Sequence, residues 1–197
     1  MLSIPRTSGL LDRDSERRRL LAWRETLPEE VRTPAERVMG ERLVGLVAAW
    51  PRGVMALYWP IRGEPDMGPA LAELEKLGFD LALPRVRGRD LPLDFGRWRP
   101  GQAMRAAGFG VMLPEPFDPV TPTYVVLPCV GFSARGYRLG YGAGYYDRTL
   151  AHLAARKIGL AFEGCELAGF TPQAHDQRLD YLLTESRCLT LSGTETD

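Results

Sequence analysis

The residues best placed to do chemistry lie in a glycine-rich segment. Glycines stand at positions 136, 140, 142 and 144, after the apolar run Tyr124-Val125-Val126-Leu127 and before Tyr145-Tyr146-Asp147-Arg148. The apolar run predicts a strand that ends at Pro128, and the residues after the glycines predict a helix. A strand, a glycine-rich turn and a helix start in this order form a phosphate cradle, because glycine lets the backbone approach an anion and the N–H groups of the helix start point at it.

Charged side chains flank this cradle. Arg135 and Arg138 could neutralise an oxyanion, and Asp147 could hold the divalent cation that accompanies a polyphosphate. The pattern over residues 140–144 is G-x-G-x-G, which is neither the dinucleotide fingerprint G-x-G-x-x-G nor a Walker A loop with its Gly-Lys-Ser/Thr. A tight structural turn is the alternative interpretation of these glycines.

Residues 138–148, RLGYGAGYYDR, resemble the signature of the 5-formyltetrahydrofolate cyclo-ligase family, also called methenyltetrahydrofolate synthetases. One coincidental motif would not bring several others into the family's order. Together the motifs span roughly residues 13–185, and the others are Leu57-Tyr58-Trp59-Pro60 with Glu64, Leu83-Pro84-Arg85-Val86, Phe95 with Trp98, Gly108-Phe109-Gly110 with Glu115-Pro116, and His175-Asp176 with Asp180.

The resemblance implies an ATP-dependent cyclo-ligase. Such an enzyme converts 5-formyltetrahydrofolate to 5,10-methenyltetrahydrofolate and releases ADP and phosphate, so a reduced folate and ATP are the expected small-molecule substrates and Mg²⁺ the expected metal. The residues agree, since phosphoryl transfer needs positioning and charge neutralisation more than a nucleophile. The chain offers no convincing catalytic triad, histidine metal cluster or thiol motif.

The resemblance also implies roles for individual residues. Arg138 and Tyr145 are the expected catalytic residues, and Asp147, with Asp180 as second candidate, is the expected metal ligand. The expected pterin site comprises Trp59, Glu64, Tyr141, Gly142, Ala143, Gly144 and Tyr145, in which the carboxylate accepts hydrogen bonds from the ring. The expected ATP site comprises Arg13, Arg17, Arg138, Leu139, Gly140, Tyr141, Gly142, Ala143, Gly144, Tyr145 and Tyr146.

Two positions depart from the family pattern. Glu16 stands where a leucine is common before the second basic residue of the first helix, and Ser133 stands where the family often has aspartate. These departures keep two alternatives open. One is a non-catalytic protein that binds folate or nucleotide, and the other is a related ATP-dependent ligase that acts on a different formyl or acyl substrate.

Composition narrows the class of protein. The 197 residues carry 25 basic and 25 acidic side chains, so no overall charge attracts nucleic acid or an anionic membrane. The three cysteines lack metal-site spacing, and we expect Cys129 to be a small core residue. No segment approaches the ~18 apolar residues of a membrane span, and the first thirty residues contain no apolar run of signal-peptide length. We therefore expect a cytoplasmic protein without nucleic-acid or membrane partners.

Strand and helix patterns alternate along the chain, which predicts an α/β fold. We expect a single compact domain over residues 1–197, with N-terminal helices at about 12–50 and a core at about 54–191. Its mixed, largely parallel sheet should carry helices on both faces. Further expectations are a helix from a capping box at residues 33–36 to about residue 50, a hairpin over residues 93–109 and a helix over about 145–155.

Six arginines lie between residues 85 and 105 and allow two interpretations. Solvated loop charge is the simpler one. Alternatively, some of them could bind the carboxylates of a folate glutamate tail, because guanidinium pairs with carboxylate in a bidentate manner.

Overall fold

The computed structural model describes residues 12–191, apart from the side chain of Phe109. Within this range the α-helices are α1 (Arg13–Glu25), α2 (Glu29–Val47), α3 (Gly68–Lys76) and α4 (Tyr145–Leu150). None of the helices in the described range is long and apolar enough to cross a membrane.

Short polar signals set the start of the first two helices. The carboxylate of Asp12 accepts hydrogen bonds from the Asp14 and Ser15 amides and so caps α1. The prediction for α2 was wrong at its start: the helix begins at Glu29, after an extended Pro28, and Pro34 lies inside it. Two glutamates in the first turn favour this earlier start because negative charge stabilises a helix N-terminus.

Twelve strands lie within the described residues. They are β1 (Val54–Ala56), β2 (Asp80–Val86), β3 (Leu93–Trp98), β4 (Met104–Ala106), β5 (Met112–Pro114), β6 (Asp118–Pro119), β7 (Tyr124–Pro128), β8 (Gly131–Phe132), β9 (Arg138–Leu139), β10 (Arg156–Leu160), β11 (Tyr181–Leu183) and β12 (Cys188–Thr190). Strand β7 therefore ends at Pro128, which is its last residue.

Eight of these strands form one mixed sheet in the order β12-β11-β10-β7-β1-β2-β3-β6. The four inner pairings, from β11 to β2, are parallel, and the three outer pairings are antiparallel. Strand β7 is buried along its whole length, which requires cover on both faces of the sheet. The predicted α/β class with a largely parallel, mixed sheet is confirmed.

The predicted hairpin over residues 93–109 was wrong. Strand β3 pairs with β2, with Leu83 opposite Gly96, whereas β4 pairs with β5. The connection between β2 and β3 is short and turns at Asp90, whose φ is 60°. A short loop closes at low entropic cost, so β3 pairs with the strand that precedes it.

Helix α4 is shorter than expected and ends at Leu150. Thr149 and Leu150 are its last buried residues, whereas Ala151 and His152 are exposed. The apolar face that holds this helix on the sheet therefore ends there, and the chain turns towards β10.

The parallel strands position the candidate site. Because β1 and β7 are parallel neighbours, with Met55 opposite Tyr124, the segments that follow them leave the sheet at the same edge. The segment after β1 carries Trp59 and Glu64, and the segment after β7 leads to the glycine loop, which we define as residues 140–144.

Candidate active site

A cavity of about 670 Å³ lies at this edge of the sheet. Its wall is formed by the start of α1, the segment after β1, the glycine loop with α4, and residues 173–176. The volume falls within the range of pockets that bind cofactors and small molecules.

The cavity collects nearly all of the predicted site residues. Arg13 and Arg17 of α1 line it, as do Trp59 and Glu64 of the segment after β1. Every residue from 138 to 147 also lines it. Side chains that are more than 120 positions apart in the sequence therefore face one space.

Asp180, the second candidate metal ligand, does not line the cavity. Its carboxylate accepts a hydrogen bond from the Lys157 amide at 2.7 Å, and its own amide donates to the Lys157 carbonyl. This carboxylate joins β10 to the start of β11, and the structure does not bring it together with Asp147.

Arg135 is also outside the cavity. Its guanidinium donates to the Phe170 carbonyl at 3.0 Å. The six arginines between residues 85 and 105 do not line the cavity either, and Arg85 and Arg97 pair with Asp94 and Asp80 at 2.8 and 2.5 Å. Their placement favours the interpretation as surface charge.

The glycine loop has the backbone geometry that its sequence predicts. Gly142 has φ of +94° and Gly144 has φ of +69°, a region that side chains with a Cβ rarely adopt. Gly144 is the N-cap of α4 and places the free N–H groups of the first turn at the cavity. Nε of Arg17 donates to the Gly140 carbonyl at 2.7 Å, which ties α1 to the loop.

An ion pair between a buried arginine and a partly exposed aspartate lies beside this loop. Nη2 of Arg138 is 2.9 Å from Oδ1 of Asp147, and Arg138 is only 6% exposed. The same Oδ1 accepts a hydrogen bond from the Gln177 amide at 3.2 Å. Both side chains line the cavity, so a cation and an anion are presented next to the glycine backbone.

Glu64 is the buried carboxylate on the opposite side, with 4% of its surface exposed. Oε2 accepts a hydrogen bond from the Ile61 amide at 2.9 Å, and Oε1 accepts one from the Tyr141 hydroxyl at 2.8 Å. Burial raises the pKa of Glu64, while these two hydrogen bonds and the charge of Arg24 act against the rise. Tyr141 belongs to the glycine loop, so its phenol directly joins the two halves of the cavity.

Arg13 is held by residues from the far end of the chain. Its guanidinium pairs with both carboxylate oxygens of Asp176, donates to the Thr171 carbonyl at 3.1 Å and lies 4.7 Å from the centre of the Phe170 ring. The pairing with Arg13 and the Gln173 amide lowers the pKa of Asp176, although burial opposes this. The start of α1 is thereby fixed over residues 171–176.

Apolar side chains complete the cavity. Trp59 and Tyr145 line it as predicted, together with Pro84, Val86, Leu93, Val111 and Leu113. Cys129 lies in the core as expected, and burial raises the pKa of its thiol to about 12, so it is no nucleophile at neutral pH. Ser133 accepts a hydrogen bond from the Tyr137 amide at 3.3 Å and stabilises the turn between β8 and β9.

Comparisons with known proteins show the family and the fold. Residues 11–185 match the sequence profile of the 5-formyltetrahydrofolate cyclo-ligase family. The chain belongs to the 5-formyltetrahydrofolate cyclo-ligase family. The resemblance inferred from residues 138–148 is thus confirmed over most of the chain, and members of this family are enzymes.

Individual relatives support the assignment. The 5-formyltetrahydrofolate cyclo-ligase of Mycolicibacterium smegmatis is 35% identical over 181 residues, which cover 85% of this chain and 91% of that protein. The solution structure of the Aquifex aeolicus 5,10-methenyltetrahydrofolate synthetase matches with a TM-score of 0.77 and 30% identity, over 94% of this chain and 96% of that one. The Mycoplasma pneumoniae synthetase structure, 24% identical with a TM-score of 0.75, shows the same fold.

The sequence reasoning missed Arg24, which lies behind the cavity wall and does not line the cavity itself. Arg24 donates to the Tyr141 hydroxyl at 2.6 Å and is 1% exposed. The sequence did contain a signal: Leu20, Leu21 and Arg24 share one buried face of α1, so an arginine stands on an apolar stripe. Such a residue is placed where only a specific polar partner can satisfy it.

Proposed function

We propose that this cyclo-ligase family member catalyses the ATP-dependent cyclisation of 5-formyltetrahydrofolate to 5,10-methenyltetrahydrofolate. The observation that carries the proposal is the composite cavity. A glycine loop with the Arg138–Asp147 ion pair lies on one side and a buried Glu64 on the other, and the Tyr141 phenol spans them. One side suits a polyphosphate and the other suits the N–H groups of a pterin.

The chemistry requires two reactants in one enclosure. The formyl oxygen is a poor leaving group, so it attacks the γ-phosphorus of ATP and ADP departs. Nitrogen 10 of the folate then attacks the formyl carbon and loses its proton. The activated oxygen leaves as phosphate, and the ring closes. Holding the formyl oxygen in line with the γ-phosphate supplies most of the rate advantage, since positioning converts a bimolecular step into an effectively unimolecular one.

The residues of the glycine loop hold the nucleotide in this proposal. The loop amides and the guanidinium groups of Arg17 and Arg138 neutralise the triphosphate, and guanidinium suits phosphate because its donors form a planar fork. Arg17 already contacts the Gly140 carbonyl, so its charge is held next to the loop before ATP arrives. Arg13 is paired with Asp176 and has to exchange this partner for phosphate.

Asp147 is the proposed Mg²⁺ ligand. Groups of three or more His, Cys, Asp or Glu side chains that could hold a metal do not occur within residues 12–191. A single carboxylate such as that of Asp147 fits Mg²⁺, which is commonly bound by one or two carboxylates together with substrate phosphates and water. Oδ1 accepts two hydrogen bonds, and a carboxylate has about four lone-pair directions, so acceptor capacity remains. The ion would neutralise charge on the β- and γ-phosphates.

Formation of product by purified protein tests the function. With ATP, Mg²⁺ and 5-formyltetrahydrofolate, we expect methenyl-folate absorbance to appear together with one ADP per turnover. A protein that binds both ligands but forms neither product would be the non-catalytic alternative. ADP release with another formyl compound, and none with 5-formyltetrahydrofolate, would point to the related ligase.

Replacement of Glu64 by glutamine should weaken folate binding far more than ATP binding. The loss of a charged acceptor costs about 1.5–3 kcal/mol, which corresponds to roughly tenfold or more in affinity. The Ile61 amide and the Tyr141 hydroxyl face different oxygens of Glu64, so in glutamine one of the two donors would face the NH₂ group, which does not accept. Calorimetric titration of each ligand would measure the two affinities.

Glu25→Gln is the matched control for this prediction. Glu25 pairs with Arg62 of the neighbouring segment but is exposed and outside the cavity. Its removal should leave folate affinity unchanged. Unchanged folate affinity and turnover in Glu64→Gln would remove Glu64 from the proposed pterin site.

A further inference from the structure

Arg24 is a buried guanidinium whose hydrogen-bond acceptors are neutral. It donates to the Arg62 carbonyl at 3.0 Å, the Cys129 carbonyl at 3.3 Å and the Tyr141 hydroxyl at 2.6 Å. Arginine is almost never fully buried unless it is paired with a carboxylate. The nearest carboxylate along this hydrogen-bond network is Glu64, one phenol away.

The direction of each hydrogen bond between Arg24, Tyr141 and Glu64 follows from which groups can donate. Guanidinium has only donors, so the Tyr141 oxygen must accept from Arg24. The phenolic hydrogen is then directed at Oε1 of Glu64, which is 2.8 Å away. The Ile61 amide holds the other carboxylate oxygen. Glu64 is thereby clamped from two sides in one orientation.

We infer that Arg24 is a positioning residue that keeps the Glu64 carboxylate ionised and correctly oriented through the Tyr141 phenol. For the role in folate recognition the inference rests on the proposed function. It adds a residue of α1 that does not line the cavity, yet controls the charge of a group that does.

The surroundings of Glu64 explain why one cation is decisive. Tyr141, Tyr58, Tyr146 and Cys129 also act electrostatically on this carboxylate or are acted on by it. Burial raises the pKa of each of these phenols and of the thiol, so they stay neutral at physiological pH. Arg24 supplies the positive charge that acts on Glu64 and lowers its pKa against the effect of burial.

Loss of Arg24 has a defined consequence for pH dependence. A carboxylate that loses a nearby positive charge binds its proton more tightly, so Glu64 would protonate at higher pH than in the wild type. Folate binding that needs the carboxylate would therefore fail at higher pH as the medium is acidified. Raising the pH would restore part of the affinity, which a purely structural defect would not allow.

The experiment uses Arg24→Met, which removes the charge, and Arg24→Lys, which keeps it. Carbon-13 NMR of labelled glutamate would follow the ionisation of Glu64, assigned by its absence in Glu64→Gln. We expect the Arg24→Met titration to move to higher pH and the Arg24→Lys titration to lie closer to the wild type. Folate affinity at pH 7 should fall about tenfold in Arg24→Met, which corresponds to ~1.4 kcal/mol, and should recover as the pH rises.

Tyr141→Phe provides a second route if Arg24→Met does not fold, because it breaks the link and leaves Arg24 in place. It should move the Glu64 titration in the same direction, and the double variant should lose less than the sum of the two single losses. Arg18→Met is the matched control, since Arg18 lies exposed on the same helix and outside the cavity. It should leave the titration unchanged.

Two results would overturn the inference. The first is a Glu64 titration that is the same in the wild type and in both Arg24→Met and Tyr141→Phe. The second is a loss of folate affinity that is equal at every pH. The NMR titration needs no folate, so it tests the effect of Arg24 on Glu64 independently of the activity. A wild-type protein that forms no methenyl product would refute the proposed function without changing the outcome of the titration.

Discussion

Gly142→Val is expected to abolish ATP binding while the protein stays folded. Gly142 has φ of +94°, and a Cβ built on it would lie 3.3 Å from Cζ of Arg17. Valine would therefore strain the backbone by about 1–3 kcal/mol and push against the guanidinium proposed to bind phosphate. We expect an affinity loss of about 100-fold or more, which corresponds to ~2.7 kcal/mol, measured by calorimetric titration with ATP.

Gly101→Val separates backbone strain from loss of the site. Gly101 has φ of +81°, a Cβ built there would meet nothing within 4 Å, and it does not line the cavity. This control should lower thermal stability and leave ATP affinity unchanged. Gly144→Val should behave like Gly142→Val, because Gly144 has φ of +69° at the start of α4. Normal ATP binding by both loop variants would mean that the phosphates bind elsewhere.

Arg138→Ala is expected to lower kcat/KM for ATP by about 2 kcal/mol or more, on the order of 30-fold. The substitution removes a buried donor beside the glycine loop and leaves Asp147 without its ion-pair partner. Initial rates of methenyl-folate formation at saturating and limiting ATP would measure the loss. Wild-type turnover under both conditions would show that Arg138 has only a structural role.

Arg135→Ala is the matched control for this substitution. Arg135 is three positions away, exposed, and bound to the Phe170 carbonyl outside the cavity. Its loss should leave turnover unchanged. Both arginines flank the glycines in the sequence, so a difference between the two variants would reflect their placement and not their proximity in the chain.

Arg135 and Arg138 differ in placement although the sequence presented both as candidate phosphate ligands. Glycine spacing, the apolar run at Tyr124 and the exit through Asp147 predicted a strand, a glycine loop and a helix in this order, because each depends on local backbone preferences. The alternation of strand and helix patterns predicted the α/β class for the same reason. Which arginine turns inwards depends on the pairing of β8 with β9, and such pairing joins residues by contacts that their individual types do not specify.

Long-range packing decided the remaining features. Asp147 was the first candidate metal ligand and Asp180 the second; the structure places Asp147 in the cavity after the glycine loop, whereas Asp180 joins β10 to β11. The sequence by itself determined the family, the α/β class and the position of the glycine loop. Only the tertiary structure placed Arg24 beside Tyr141 and near Glu64, because the partners of a charge on an apolar helix face come from distant segments that pack against the helix.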